Sequence, residues 1–171
     1  VYKRQVKLHS GEEGNQNYLK PEFMKDIIEE VDGVVVKCNT AYEGARNTTA
    51  KHQKLMREHG WNKYYQVDIM DSEDDITLEI PNGKIIKKDY VGTHLNNYKS
   101  MLVLSHFKGH PMGDFGGALK QLSIGVASSS DKGKDHLIER IESRNGNHII
   151  EAAANLKFGT KDYELINIDN I

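Results

Sequence analysis

The sequence predicts an α/β fold, a mostly parallel sheet flanked by helices on both faces with a β-hairpin excursion. Three observations predict it. The apolar runs Val34-Val35-Val36 and Met101–Leu104 are continuous rather than alternating, as in strands buried on both faces. Such strands alternate along the chain with segments of helical period. Asn82-Gly83 separates two short strand-like runs, 76–80 and 84–86, the signature of a hairpin.

The elements follow in order. Residues 6–9 read as a first strand and 11–17 as a polar loop. Residues 21–31 carry Phe23, Met24, Ile27, Ile28 and Val31 at helical spacing, with Pro21 in the first turn and Asp32-Gly33 after the last. Residues 34–36 form the second strand. Residues 48–59 form a helix closed by Gly60. A third strand is expected at 65–69, the hairpin at 76–86, a short helix at 93–98, a strand at 101–104 and a helix at 118–124. Further helices are expected at 135–143 and 148–156, split at Asn145-Gly146, then a final strand at 163–168. Residues 128–135 are the best linker or junction. The chain opens on Val1 without a methionine, and residues 1–5 read as adapter-derived, as in a metagenomic fragment. A single domain is therefore expected over 6–171.

Composition narrows the function. A chain of 171 residues, 37% hydrophobic, suffices for one real core. Its net charge of −2 lacks the basic footprint of a nucleic-acid binder. No apolar run is long enough to span a membrane, and no signal peptide opens the chain. The lone cysteine, Cys38, excludes an internal disulfide framework, an all-cysteine zinc site and a self-contained iron–sulfur cluster. It points to a reducing, cytoplasmic setting. As a residue just past a buried strand, it reads as a small hydrophobe rather than a nucleophile.

In open α/β sheets ligands bind beyond the carboxyl ends of the strands. His9 follows the first strand, Asn39 and Arg46 the second, Asp68 and Asp71 the third. The run 105–120 after the fourth holds His106, Lys108, His110, Gly116, Gly117 and Lys120. A strand feeding a glycine-rich cationic loop and a helix start suits an anion. Lys108 and Lys120 would hold the negative charge with the Gly116 and Gly117 amides. His106 or His110 would move a proton near neutral pH. Lys7, His9, Asn39 and Arg46 would complete the pocket. The His-x-Lys-x-His spacing would aim two imidazoles at one metal only on a helix, which Gly109 and Pro111 oppose, so no metal ligands are assigned. Asp68 and Asp71 either join a histidine around a divalent ion or cap the following turn. No P-loop, Rossmann fingerprint or nucleophile triad is present, and no cofactor is named by these residues.

Several segments together resemble a known family. The runs 105–110 and 116–125, with 6–15, 39–46, 67–71 and 163–169, are similar to the domain-of-unknown-function family 362 over nearly the whole chain. The family is largely uncharacterised. Many members are described as iron–sulfur or ferredoxin-related through cysteine-rich segments, which this sequence lacks. In similar proteins a long stretch separates the glycine–lysine motif from the C-terminal helices, whereas here 128–135 joins them directly. The expected function is a domain that binds an anionic small molecule or cofactor, without nucleic acid or membrane. The alternatives are a metal or iron–sulfur redox protein whose ligand cysteines lie outside this chain, and a non-catalytic interaction domain.

Overall fold

The structure is a computed structural model and describes residues 3–79, 87–110, 114–122 and 124–129. The helices expected at 135–143 and 148–156, the strand at 163–168, the strand at 84–86 with its Asn82-Gly83 turn, and most of the 128–135 junction lie outside the described residues.

Four strands form one all-parallel sheet: β1 (Arg4–Leu8), β2 (Gly33–Lys37), β3 (Val67–Ile69) and β6 (Met101–Leu104), in the order β3-β2-β1-β6. β1 lies inside the sheet, pairing Val6 with Val35 on one side and with Leu102 on the other. It begins two residues earlier than its apolar signature. Gln5 is fully buried, and its side-chain amide donates to the Leu95 carbonyl at 3.2 Å.

Each sheet face carries its own core. Val6, Leu8, Val35 and Leu104 pack against Met24 and Ile28 of the turn and helix α1 (Lys25–Glu30), Met56 of α2 (Thr49–Glu58) and Trp61 of α3 (Trp61–Tyr64). Val34, Val36 and Cys38 pack on the other face against Met70, Val91, Leu95, Leu122 and Val126. Burying each such aliphatic side chain is worth about 1.5–3 kcal/mol. α1 is shorter than its periodicity suggested: 21–24 form a turn, and Phe23 and Ile27 point to solvent. α2 matches expectation closely. Thr48 caps it, accepting from the Lys51 amide, and Gly60 ends it in the left-handed region at φ 81°. The same glycine turns the chain into α3, a single turn that the sequence pattern did not separate from its neighbours.

The second face is covered by smaller pieces. β4 (Asp75–Glu79) pairs antiparallel with β5 (Lys88–Gly92). A 3-10 helix (Thr93–Asn97) supplies Leu95, and α4 (Ala118–Leu122) supplies Leu122. Gly92 has no side chain because a Cβ there would sit 2.1 Å from the Met70 carbonyl oxygen. The run expected as a glycine-rich loop contains a small antiparallel hairpin, β7 (Lys108–His110) with β8 (Asp114–Gly116). Among the described residues no helix is long and apolar enough to cross a membrane.

Candidate functional site

Because all four strands are parallel, their carboxyl ends share one edge. β1 and β6 are neighbours there, and their continuations part. The chain after β1 leads to Met24 and Ile28 on one face; the chain after β6 leads to Leu122 of α4 on the other. That divergence marks a topological switch point, the place where open α/β sheets bind ligands. His9 follows β1 and His106 follows β6, with ring centroids 6.5 Å apart. The Nδ1 atoms of both are buried and have no hydrogen-bond partner among the described residues.

The cations of this edge come from four elements. Lys7 lies in β1 and is 4% exposed, with no hydrogen-bond or ion-pair partner among the described residues. Lys37 ends β2, is 2% exposed, and its amine donates to the Leu8 carbonyl at 2.7 Å. Lys108 opens β7, and Lys120 lies in α4. Arg46, in the loop after β2, is held by Glu12 and Tyr42: its Nε donates to Glu12 Oε2 at 2.9 Å and one terminal nitrogen to Tyr42 Oη at 2.9 Å. Glu12 is itself placed by the β1 loop. There Gly11 takes φ 89° with the Tyr18 ring against it, and His59 stacks on Tyr18 while donating from Nδ1 to the Ser10 carbonyl at 2.8 Å.

The electrostatics follow from burial and crowding of like charge. Burial lowers the Lys7 amine, and burial with Lys7 nearby lowers Lys37 well below the ordinary lysine value. Lys108 is lowered by burial and Arg46, and Lys120 by burial and Lys108. His9 is pushed down to about 3 by burial, then by Lys108, Lys37, Arg46 and His106. His52, fully enclosed in α2, is pushed down to about 2 by burial, with Lys37, Arg46 and Lys7 adding to it. These mutual influences tie Lys7, Lys37, Arg46, Lys108, His9 and His106 into one electropositive group.

Asn39 and Asp71 build the floor rather than face a ligand. Both functional groups of the Asn39 amide are engaged: Nδ2 donates to Thr49 Oγ1 at 3.0 Å, and Oδ1 accepts from His52 Nδ1 at 3.2 Å. Asp71 accepts from the Asn39 backbone N–H at 2.9 Å and from the Ser129 backbone N–H and hydroxyl at 3.0 and 2.9 Å. It thus ties distant segments together rather than capping the turn that follows it, a role that neither of its two readings gave. Asp68 does meet a histidine, but in a hydrogen-bonded cluster: it accepts from His94 Nδ1 and from Tyr98 Oη, each at 2.8 Å. Among the described residues no group of three histidine, cysteine or acidic side chains could hold a metal ion. Cys38 is buried, donates to the Val126 carbonyl at 3.2 Å, and has its thiol pushed up by burial. It is a core residue.

The glycine–lysine segment contributes less helix than the sequence suggested. Gly116 ends β8 opposite Lys108, and the Gly117 carbonyl accepts from the Gln121 amide to start α4. α4 has five residues, too few for a substantial helix-end field. It is tied to the sheet by Gln121, whose Nε2 donates to the Leu104 carbonyl at 3.3 Å and Ser105 Oγ at 3.2 Å. The backbone of His110 ends β7; its side chain lies outside the described residues. Sequence reasoning missed Lys37 and His52. The signal for Lys37 was present: it continues a strand already recognised as buried on both faces.

The family Domain of unknown function (DUF362) matches residues 5–171, nearly the full length. The chain belongs to that family. Comparison with curated proteins and with solved structures gives no match. Family membership thus agrees with the resemblance carried by the strand-end and glycine–lysine segments. It assigns no reaction, so the chemistry must be argued from the site itself.

Proposed function

We propose that this DUF362 domain binds an anionic small molecule at the switch point between the β1 and β6 ends, with Lys7, Arg46, Lys108 and Lys120 as the cationic wall. The observation that carries the reading is the burial of Lys7 without a carboxylate in ion-pair contact with it, among the described residues. Enclosing an ammonium costs several kcal/mol unless a counter-charge is supplied. Here Glu12 is spent on Arg46, and Asp71 on backbone amides and Ser129. A bound carboxylate or phosphate supplies the missing charge. His9 gives the site a neutral imidazole, and the buried Nδ1 atoms of His9 and His106, without a partner among the described residues, are available for a hydrogen bond to the ligand.

Inorganic phosphate is the probe. Titrating it into the protein at constant ionic strength should raise the melting temperature in a saturable way, as binding to the folded state alone requires. Lys108→Ala and Lys7→Met should each weaken phosphate at least tenfold. A phosphate response equal to that of sodium chloride, or undiminished in both variants, overturns the reading.

A further inference from the structure

Lys37 lies beside this wall and differs from its members. Its amine is pinned by the Leu8 carbonyl at 2.7 Å, at the carboxyl end of the β1–β2 pair, and the side chain is 2% exposed. Lys7 and Lys108 crowd it with positive charge from β1 and β7. A lysine held in a dry setting beside other cations favours the neutral amine, the nucleophilic form. Its hydrogen bond to Leu8 uses one N–H and leaves the nitrogen lone pair free for a second interaction.

We propose that Lys37 is an imine-forming residue that condenses with an aldehyde or ketone bearing a carboxylate or phosphate group. This rests on the anion reading, since the charged end of such a compound would lie against Lys108, Arg46 and Lys7 while its carbonyl meets Lys37. The chemistry balances without an oxidant. The Lys37 nitrogen lone pair attacks the carbonyl carbon, the C=O pair moves to oxygen, and a proton passes from nitrogen to that oxygen. The carbinolamine then loses the hydroxyl with a further proton as water, leaving a C=N bond. The sequence is reversible and leaves the carbon polarised for subsequent proton loss or bond cleavage.

Trapping tests it on the full chain. Pyridoxal 5′-phosphate, an anionic aldehyde, is added and reduced with borohydride, whose hydride converts the imine to a stable secondary amine. One adduct per chain is expected, mapping to Lys37. Excess inorganic phosphate should suppress it, and uncharged propanal at the same concentration should label Lys37 at least tenfold less. Lys37→Arg and Lys37→Met should both lose the adduct, while Lys37→Arg keeps phosphate binding. An adduct at another residue, labelling spread over several lysines, or labelling indifferent to phosphate overturns the proposal. If phosphate raises the melting temperature but nothing is trapped at Lys37, the imine fails and the anion site stands. If neither occurs, both fail.

Discussion

Asp68 and Lys7 sit on neighbouring regions of the same sheet, both in strands and both mostly buried, yet their charges are handled in opposite ways. Around Asp68 each oxygen has a donor: His94 takes one and Tyr98 the other, and the pairing raises His94 above its ordinary value, mainly through the hydrogen bond to Asp68. Around Lys7 stand Lys37, Arg46 and His52, with Cys38 and Asp71 also within electrostatic reach, and burial lowers Lys7, Lys37 and His52. The first region is closed electrostatically by its own side chains. The second is left with more positive than negative groups at the edge where open α/β sheets bind ligands. The first region neutralises itself; the second does so only in part.

Mutation should separate the two regions by sign. The largest effect is expected at Asp68. Asp68→Ala leaves the Tyr98 hydroxyl and His94 without their acceptor and should cost about 2–3 kcal/mol, read from urea unfolding. Lys7→Met should act in the opposite direction, raising stability by roughly 1–2 kcal/mol because an uncompensated buried charge is replaced by an apolar chain of similar length. Destabilisation of similar size in both variants would mean that Lys7 has a partner as good as those of Asp68, and the contrast would collapse.

The pH profile again separates the two regions by sign. His9 and His52 stay neutral in the fold down to about 3 and about 2, whereas in the unfolded chain they take up protons near 6.5. Below that value only the unfolded state binds those protons, so stability should fall as pH drops from about 6.5. His94 is raised, so its pairing with Asp68 contributes fully below its ordinary value and is lost as pH rises through its folded value. Thermal melts from pH 4 to 8 should show the acid-side loss reduced in His52→Gln. The alkaline-side decline should be reduced in Asp68→Asn. An unchanged acid limb in His52→Gln would remove His52 from this account.

Much of this contrast was legible before folding. The continuous apolar run at 34–36 determined a buried parallel strand; the run at 101–104 also gave a parallel strand, but at the end of the described sheet, where Met101, Leu102 and Val103 are only half-buried. Thr48 and Gly60 marked the ends of α2 by local hydrogen-bond chemistry and a left-handed turn. The strand-end rule found His9, Arg46, His106 and Lys108. It also included Asn39, whose amide is consumed by Thr49 and His52 through contacts no local pattern encodes.

What only the tertiary structure decided was which neighbours meet. The chain order does not say that β6 joins β1 rather than β3, yet that choice brings His106 to His9 and places a switch point between them. Nor does a lysine at the end of a strand announce whether water or protein will surround it. Lys37 closes a run read as buried on both faces, yet only the fold shows that its amine ends on the Leu8 carbonyl. Periodicity, caps and turns are set by residues a few positions apart, so the sequence alone determines them. Burial and charge balance depend on atoms brought together from distant parts of the chain, so only the folded sheet settles them.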